Sequence, residues 1–86
     1  MNIVFSSDKK EYNTIKKGTK ILLAENDGFN QNIELCVKFQ DRPEILINKR
    51  KNQIHIICRE ISHYYRALNY AIHHMEEDEF QYQEHV

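Results

Sequence analysis

The sequence predicts an α+β fold: a small antiparallel sheet of three or four strands packed against one long C-terminal helix. Three observations predict it. Residues 32–40 alternate apolar and polar side chains with period two, which is the mark of a half-buried strand. Short apolar runs at 2–6, 19–25 and 44–48 are bounded by turn-forming residues. Residues 54–79 carry Ile54, Ile57, Ile61, Tyr64, Leu68, Ala71 and Met75 at alternating spacings of three and four, as one buried helical face requires.

Taken in order, Asn2–Ser6 is β-branched and aromatic and reads as a strand. Asp8 and Glu11 imitate a capping box, and Gly18 can close the end of a two-turn helix over 9–17; a charged loop is the competing reading. Residues 19–25 (TKILLAE) are too short for a free helix and read as a strand. Asn26-Asp27-Gly28 then marks a turn into the 32–40 strand, giving a long-looped hairpin. Pro43 breaks that strand, because proline cannot donate to a ladder. Residues 44–48 form the next strand, expected antiparallel to 32–40, and 48–52 are a basic connection.

The reading forks at QIHIIC, residues 53–58. These residues open the long helix behind an Asn52 cap, or they form a further strand with the helix starting near Arg59. The first is preferred because no glycine or proline interrupts the stripe. Acids oppose the macrodipole at a helix C-terminus, so the helix is expected to end near Glu76–Asp78. The chain then divides into a single domain over 1–80 and a frayed acidic tail over 81–86.

Eighty-six residues bury a modest core, so self-association as a homodimer is a natural supplement. No apolar run approaches membrane-spanning length, no signal-peptide core opens the chain, and two cysteines make no disulfide framework. A cytoplasmic protein with buried thiols at Cys36 and Cys58 is expected. Residues 1–75 hold 12 Lys/Arg against 8 Asp/Glu, whereas 76–86 hold five acids and no Lys or Arg. Isoleucine, lysine and asparagine are abundant while alanine, glycine and proline are scarce, the bias of an AT-rich genome.

Catalytic signatures are missing. Phosphate-binding glycine motifs do not occur, and two glycines leave little material for an oxyanion loop. His55 and His63 are the only histidines near Cys58. His73/Glu77 and His74/Asp78 stand at the i, i+4 spacing of helical metal ligands, but a third ligand is not evident. The expectation is therefore no enzyme activity, no cofactor and no metal. The opposite face of the long helix carries Arg59, His63, Arg66, Tyr70 and His73, and runs into Glu76, Glu77, Asp78 and Glu79. These residues form a candidate partner-binding surface, since tyrosine and arginine anchor interfaces. The expected function is a small regulatory protein, such as a phage or mobile-element inhibitor or adaptor, binding a protein partner through that helix and its acidic end. The first alternative is a nucleic-acid-binding module using Lys49, Arg50, Lys51, Arg59, Arg66 and Tyr70. The second is an oligomeric scaffold sharing its apolar helix stripe between subunits.

Overall fold

A computed structural model describes residues 2–6, 11–24 and 33–86. The elements are β1 (Asn2–Phe5), α1 (Glu11–Ala24), β2 (Glu34–Phe39), β3 (Glu44–Arg50), β4 (Gln53–Cys58), α2 (Ile61–His73) and β5 (Glu79–His85). The strands form one sheet in the order β1-β2-β4-β3-β5. β1 and β2 are parallel, as are β2 and β4, while β3 runs antiparallel to both β4 and β5. The sheet is therefore five-stranded and mixed, not a three- or four-stranded antiparallel one. It is covered by two helices, and the chain ends in a strand instead of one long C-terminal helix.

Each departure has a local cause. In α1, Tyr12, Ile15, Thr19 and Leu23 are buried, a helical spacing that runs through Gly18 and takes in residues 19–24 of the expected 19–25 strand. Gly18 serves close packing here, for a Cβ at that position would lie 2.9 Å from the Tyr65 hydroxyl oxygen. The Asn26-Asp27-Gly28 turn and the Asp8 half of the capping box lie outside the described residues. Residues 53–58 are the strand of the rejected alternative. Ile54, Ile56 and Cys58 are buried on one face, and Gln53 and His55 are exposed on the other. Period two thus wins over the helical stripe at this point, and a tight turn, Lys51-Asn52, links β4 to β3. Lys51 sits there with φ 56°, the left-handed region that suits glycine. Only Lys51 and Asn52 remain of the expected basic connection, because β3 continues to Arg50. β3 does not pair with β2, since β4 lies between them.

Helix α2 is shorter than its sequence stripe. It buries Tyr64, Ala67, Leu68 and Ala71 at i, i+3, i+4 and i+7. It ends at His73, before the expected Glu76–Asp78, so the acids at 76–79 all lie beyond it. Residues 81–85, expected to fray, pair with β3 throughout, with Tyr82 opposite Ile47 and Glu84 opposite Ile45.

Both helices lie on one face of the sheet. That face presents Ile3, Leu35, Val37, Ile45, Ile47, Ile54 and Ile56, all under a tenth exposed. Phe5, Tyr12, Phe39 and Tyr64 form a ring cluster joining α1, α2 and the sheet, with Phe5 and Tyr12 stacked at 4.8 Å between centroids. Fully burying each of these aliphatic side chains stabilises the fold by about 1.5–3 kcal/mol. Among the described residues, no helix lies on the opposite face of the sheet.

Candidate functional site

The expected partner surface is rebuilt by β5. Its side chains alternate: Phe80, Tyr82 and Glu84 turn toward α2, and Glu79, Gln81, Gln83 and His85 turn away. Arg66 forms an ion pair with Glu84. Because Arg66 is 62 % exposed, the pair is worth well under about 1 kcal/mol and acts mainly to orient the strand. Tyr70 lies between two rings, with centroids 4.2 Å from both Tyr82 and His74, and meets Phe80 edge-on at 5.8 Å. β5 thus covers Tyr70 and ion-pairs with Arg66, which stays exposed. The complementarity between them is satisfied within one molecule.

The rest of the strip is dispersed. Arg59 is exposed in the link before α2. His63 is half-buried, with Nε2 3.8 Å from Glu60 Oε2 and with Nδ1 buried and unpartnered. His73 is exposed, and its Nδ1–H donates to the Asn69 carbonyl at 2.8 Å. Glu76, Glu77 and Asp78 are exposed, side by side, in the turn from α2 to β5, and exposed Glu79 opens β5.

That turn is held from beneath by Lys49. The residue faces the helix side of β3 and is 5 % exposed. Its ammonium donates to the Glu77 carbonyl and, at 3.4 Å, to the Asp78 carbonyl. The Lys51 amide donates to the Asp78 carbonyl at 2.9 Å. His74 Nδ1 lies 2.6 Å from Glu77 Oε2. A buried ammonium needs acceptors to replace water, and these carbonyls beyond the end of α2 supply them. Sequence inspection placed Lys49 in a solvated basic cluster. The signal for its burial is its parity with Ile45 and Ile47 on β3.

The nucleic-acid constellation is not assembled. Lys49 is committed to carbonyls, Arg66 to Glu84 and Tyr70 to a ring stack. Arg50 lies opposite Glu79 in register, and Arg50, Lys51 and Arg59 are exposed, Arg59 at a separate position in the link before α2.

The nucleophile pairing dissolves too. His55 and Cys58 lie on opposite faces of β4. Cys58 is buried beside the Glu60 carbonyl, 3.7 Å away, and burial pushes its thiol up to about 12. Burial and the neighbouring Glu34 carboxylate also raise the Cys36 thiol. Neither cysteine is activated, and neither joins a disulfide. Among the described residues no three histidine, cysteine or acidic groups converge as a metal site would need. No helix among them is long and apolar enough to cross a membrane. No protein-family model matches the chain, and no curated protein matches it.

Proposed function

We propose that this chain is a small non-enzymatic interaction protein of regulatory or adaptor type. It meets a protein partner through the acidic corner Glu76–Asp78 and the adjoining end of α2 at His73. One observation carries the reading: three consecutive acids are exposed on a turn whose backbone Lys49 and Lys51 hold in place. A fixed charged corner loses little conformational entropy on binding, so its electrostatic complementarity goes into encounter rate and specificity. The partner surface would be basic.

Truncation is the wrong test, because removing 76–86 strips β5 from the sheet and uncovers Tyr70. The Glu76→Lys/Asp78→Lys double variant leaves the His74–Glu77 contact and the β5 pairing intact. Affinity capture from the native host with wild-type chain, followed by association kinetics on the captured partner, gives the readout. The charge-reversed chain is expected to associate about 10-fold more slowly at low salt, with a flattened salt dependence. An unchanged rate and salt slope would remove the acidic corner from the mechanism.

A further inference from the structure

The face of the sheet that carries no helix has an ordered composition. Strand register places Val4, Cys36, His55, Asn48 and Gln81 in one row across all five strands. Lys38, Ile57, Leu46 and Gln83 form the next row. Val4 is 43 % exposed, and Cys36, Ile57 and Leu46 are half-buried, so apolar side chains flank exposed His55 and Asn48 across the middle of the face, with Gln81 and Gln83 on its β5 edge. Shallow grooves run on both sides of the β4 ridge made by His55 and Ile57. Among the described residues no phenylalanine or tyrosine ring projects from this face, because Phe5, Phe39, Phe80 and Tyr82 all turn to the helix side. A base-stacking platform would need such rings here.

Charges lie at the two ends of the strands and alternate in sign. β2 carries Glu34 at one end and Lys38 at the other. β3 carries Arg50 beside the Glu34 end and Glu44 at the far end. β5 carries Glu79 and His85 in the same sense. The face as a whole is close to neutral.

We infer that this face is the interface of a homodimer, formed by stacking two sheets face to face about a twofold axis that crosses the strands between the Cys36–His55–Asn48 row and the adjacent Val37–Ile56–Ile47 row. A twofold interface must be self-complementary. This rotation lays each strand over its own copy in the reverse direction. The Glu34/Lys38 pair is centred on Cys36, and the Arg50/Glu44 and Glu79/His85 pairs one residue on, at Ile47 and Tyr82; an axis between the two rows leaves each residue about 3.3 Å along the strand from its opposite number in the second copy, within reach of these long side chains. An axis along the strands would still bring Glu34 to Arg50, but would leave Glu79 and His85 without each other. The β4 ridge of one copy enters the groove of the next, as inner faces of stacked sheets interdigitate at a spacing of about 10 Å. Five strands about 4.8 Å apart and about 20 Å long give roughly 500 Å² of projected face per copy. The pair therefore reaches the roughly 1,000 Å² that a specific interface needs. The acidic corner at Glu76 and Asp78 stays outside, so the dimer presents two copies of it.

The test measures the mass of the full chain by sedimentation velocity from about 1 µM to about 1 mM, a span of roughly 4 kcal/mol in association free energy. Wild type is expected to dimerise, and Leu46→Lys or Ile57→Lys to shift it to monomer with unchanged far-UV circular dichroism. Lys38→Glu, at an exposed position that any fold tolerates, is expected to weaken the dimer about 10-fold by placing like charges together twice. The Glu34→Lys/Lys38→Glu exchange is expected to restore it, because the rotation re-pairs both ends. In wild type, a short bismaleimide should join two chains through Cys36, since Cys58 is buried. A monomer at every concentration overturns the proposal. So does a dimer indifferent to Leu46→Lys, or an exchange variant weaker than Lys38→Glu alone.

Discussion

The contact between the helices can be tested by a double-mutant cycle at Thr19 and Tyr64. Both residues are fully buried. The Thr19 hydroxyl donates to the Ile15 carbonyl at 2.7 Å, which uses its only proton. The Tyr64 hydroxyl, 2.6 Å from the Thr19 oxygen, must therefore be the donor between them. The two side chains are not equivalent in this arrangement. Tyr64→Phe removes one hydrogen bond but leaves the Thr19 hydroxyl satisfied by Ile15, at a cost of about 1 kcal/mol. Thr19→Val keeps the shape but strands a buried phenol, at about 2 kcal/mol. The double variant leaves no polar group behind, so it should cost about 1 kcal/mol or less, giving a coupling of roughly 2 kcal/mol. Urea unfolding followed by circular dichroism, with linear extrapolation, measures all four corners. In a domain of this size the Thr19→Val loss corresponds to roughly 8–16 °C in Tm. Additive single costs, or a larger cost for Tyr64→Phe than for Thr19→Val, would refute this assignment of donor and acceptor.

Three further outcomes follow from particular residues. Burial pushes the Cys58 thiol from 9.0 and the Tyr64 phenol from 10.0 up to about 12. The unfolded chain ionises these groups first, so their contribution to stability is complete below pH 9 and is lost as pH rises to about 12; in Cys58→Ala, pH-dependent unfolding should begin nearer pH 10. Gly18→Ala should stabilise by about 0.5 kcal/mol in thermal melts: alanine gains about 1 kcal/mol in a helix interior, and Tyr65, 38 % exposed, can swing its hydroxyl away from the new methyl. Destabilisation would show that the Tyr65 ring is held. Lys51→Gly should stabilise by about 0.5–1 kcal/mol by relieving the left-handed backbone at φ 56°, and a loss in urea midpoint would contradict that.

Lys49 shows how one buried cation organises the candidate site. Its ammonium meets backbone carbonyls, so the carboxylates of Glu76, Glu77 and Asp78 stay exposed above a fixed turn. A carboxylate partner would have cancelled one of those charges. The same acidic stretch then becomes β5, whose inward side chains hold Arg66 and Tyr70.

Local pattern determined much of this molecule. Period two in 32–40 and the β-branched character of 2–6 and 44–48 place β1, β2 and most of β3, because alternate burial on a sheet needs nothing beyond the order of side chains. The 64/68/71 spacing places α2 for the same reason at helical period. The candidate acids were legible as a cluster. What sequence alone left open was the partner of each segment. Ile54 and Ile57 continue a helical stripe and also fit a strand, and only neighbours on both sides of β4 settle it as a strand. Residues 19–24 join a helix because Gly18 and Thr19 pack against Tyr65 and Tyr64, 45 or more positions away. EFQYQEH, polar enough to be taken for a tail, becomes an edge strand because β3 offers a ladder and α2 offers Tyr70 and Arg66 to its inner face. Propensity and period are local quantities. Pairing across a sheet, the fate of a buried cation and the existence of a helix-free sheet face are set by contacts that the order of residues along the chain does not display.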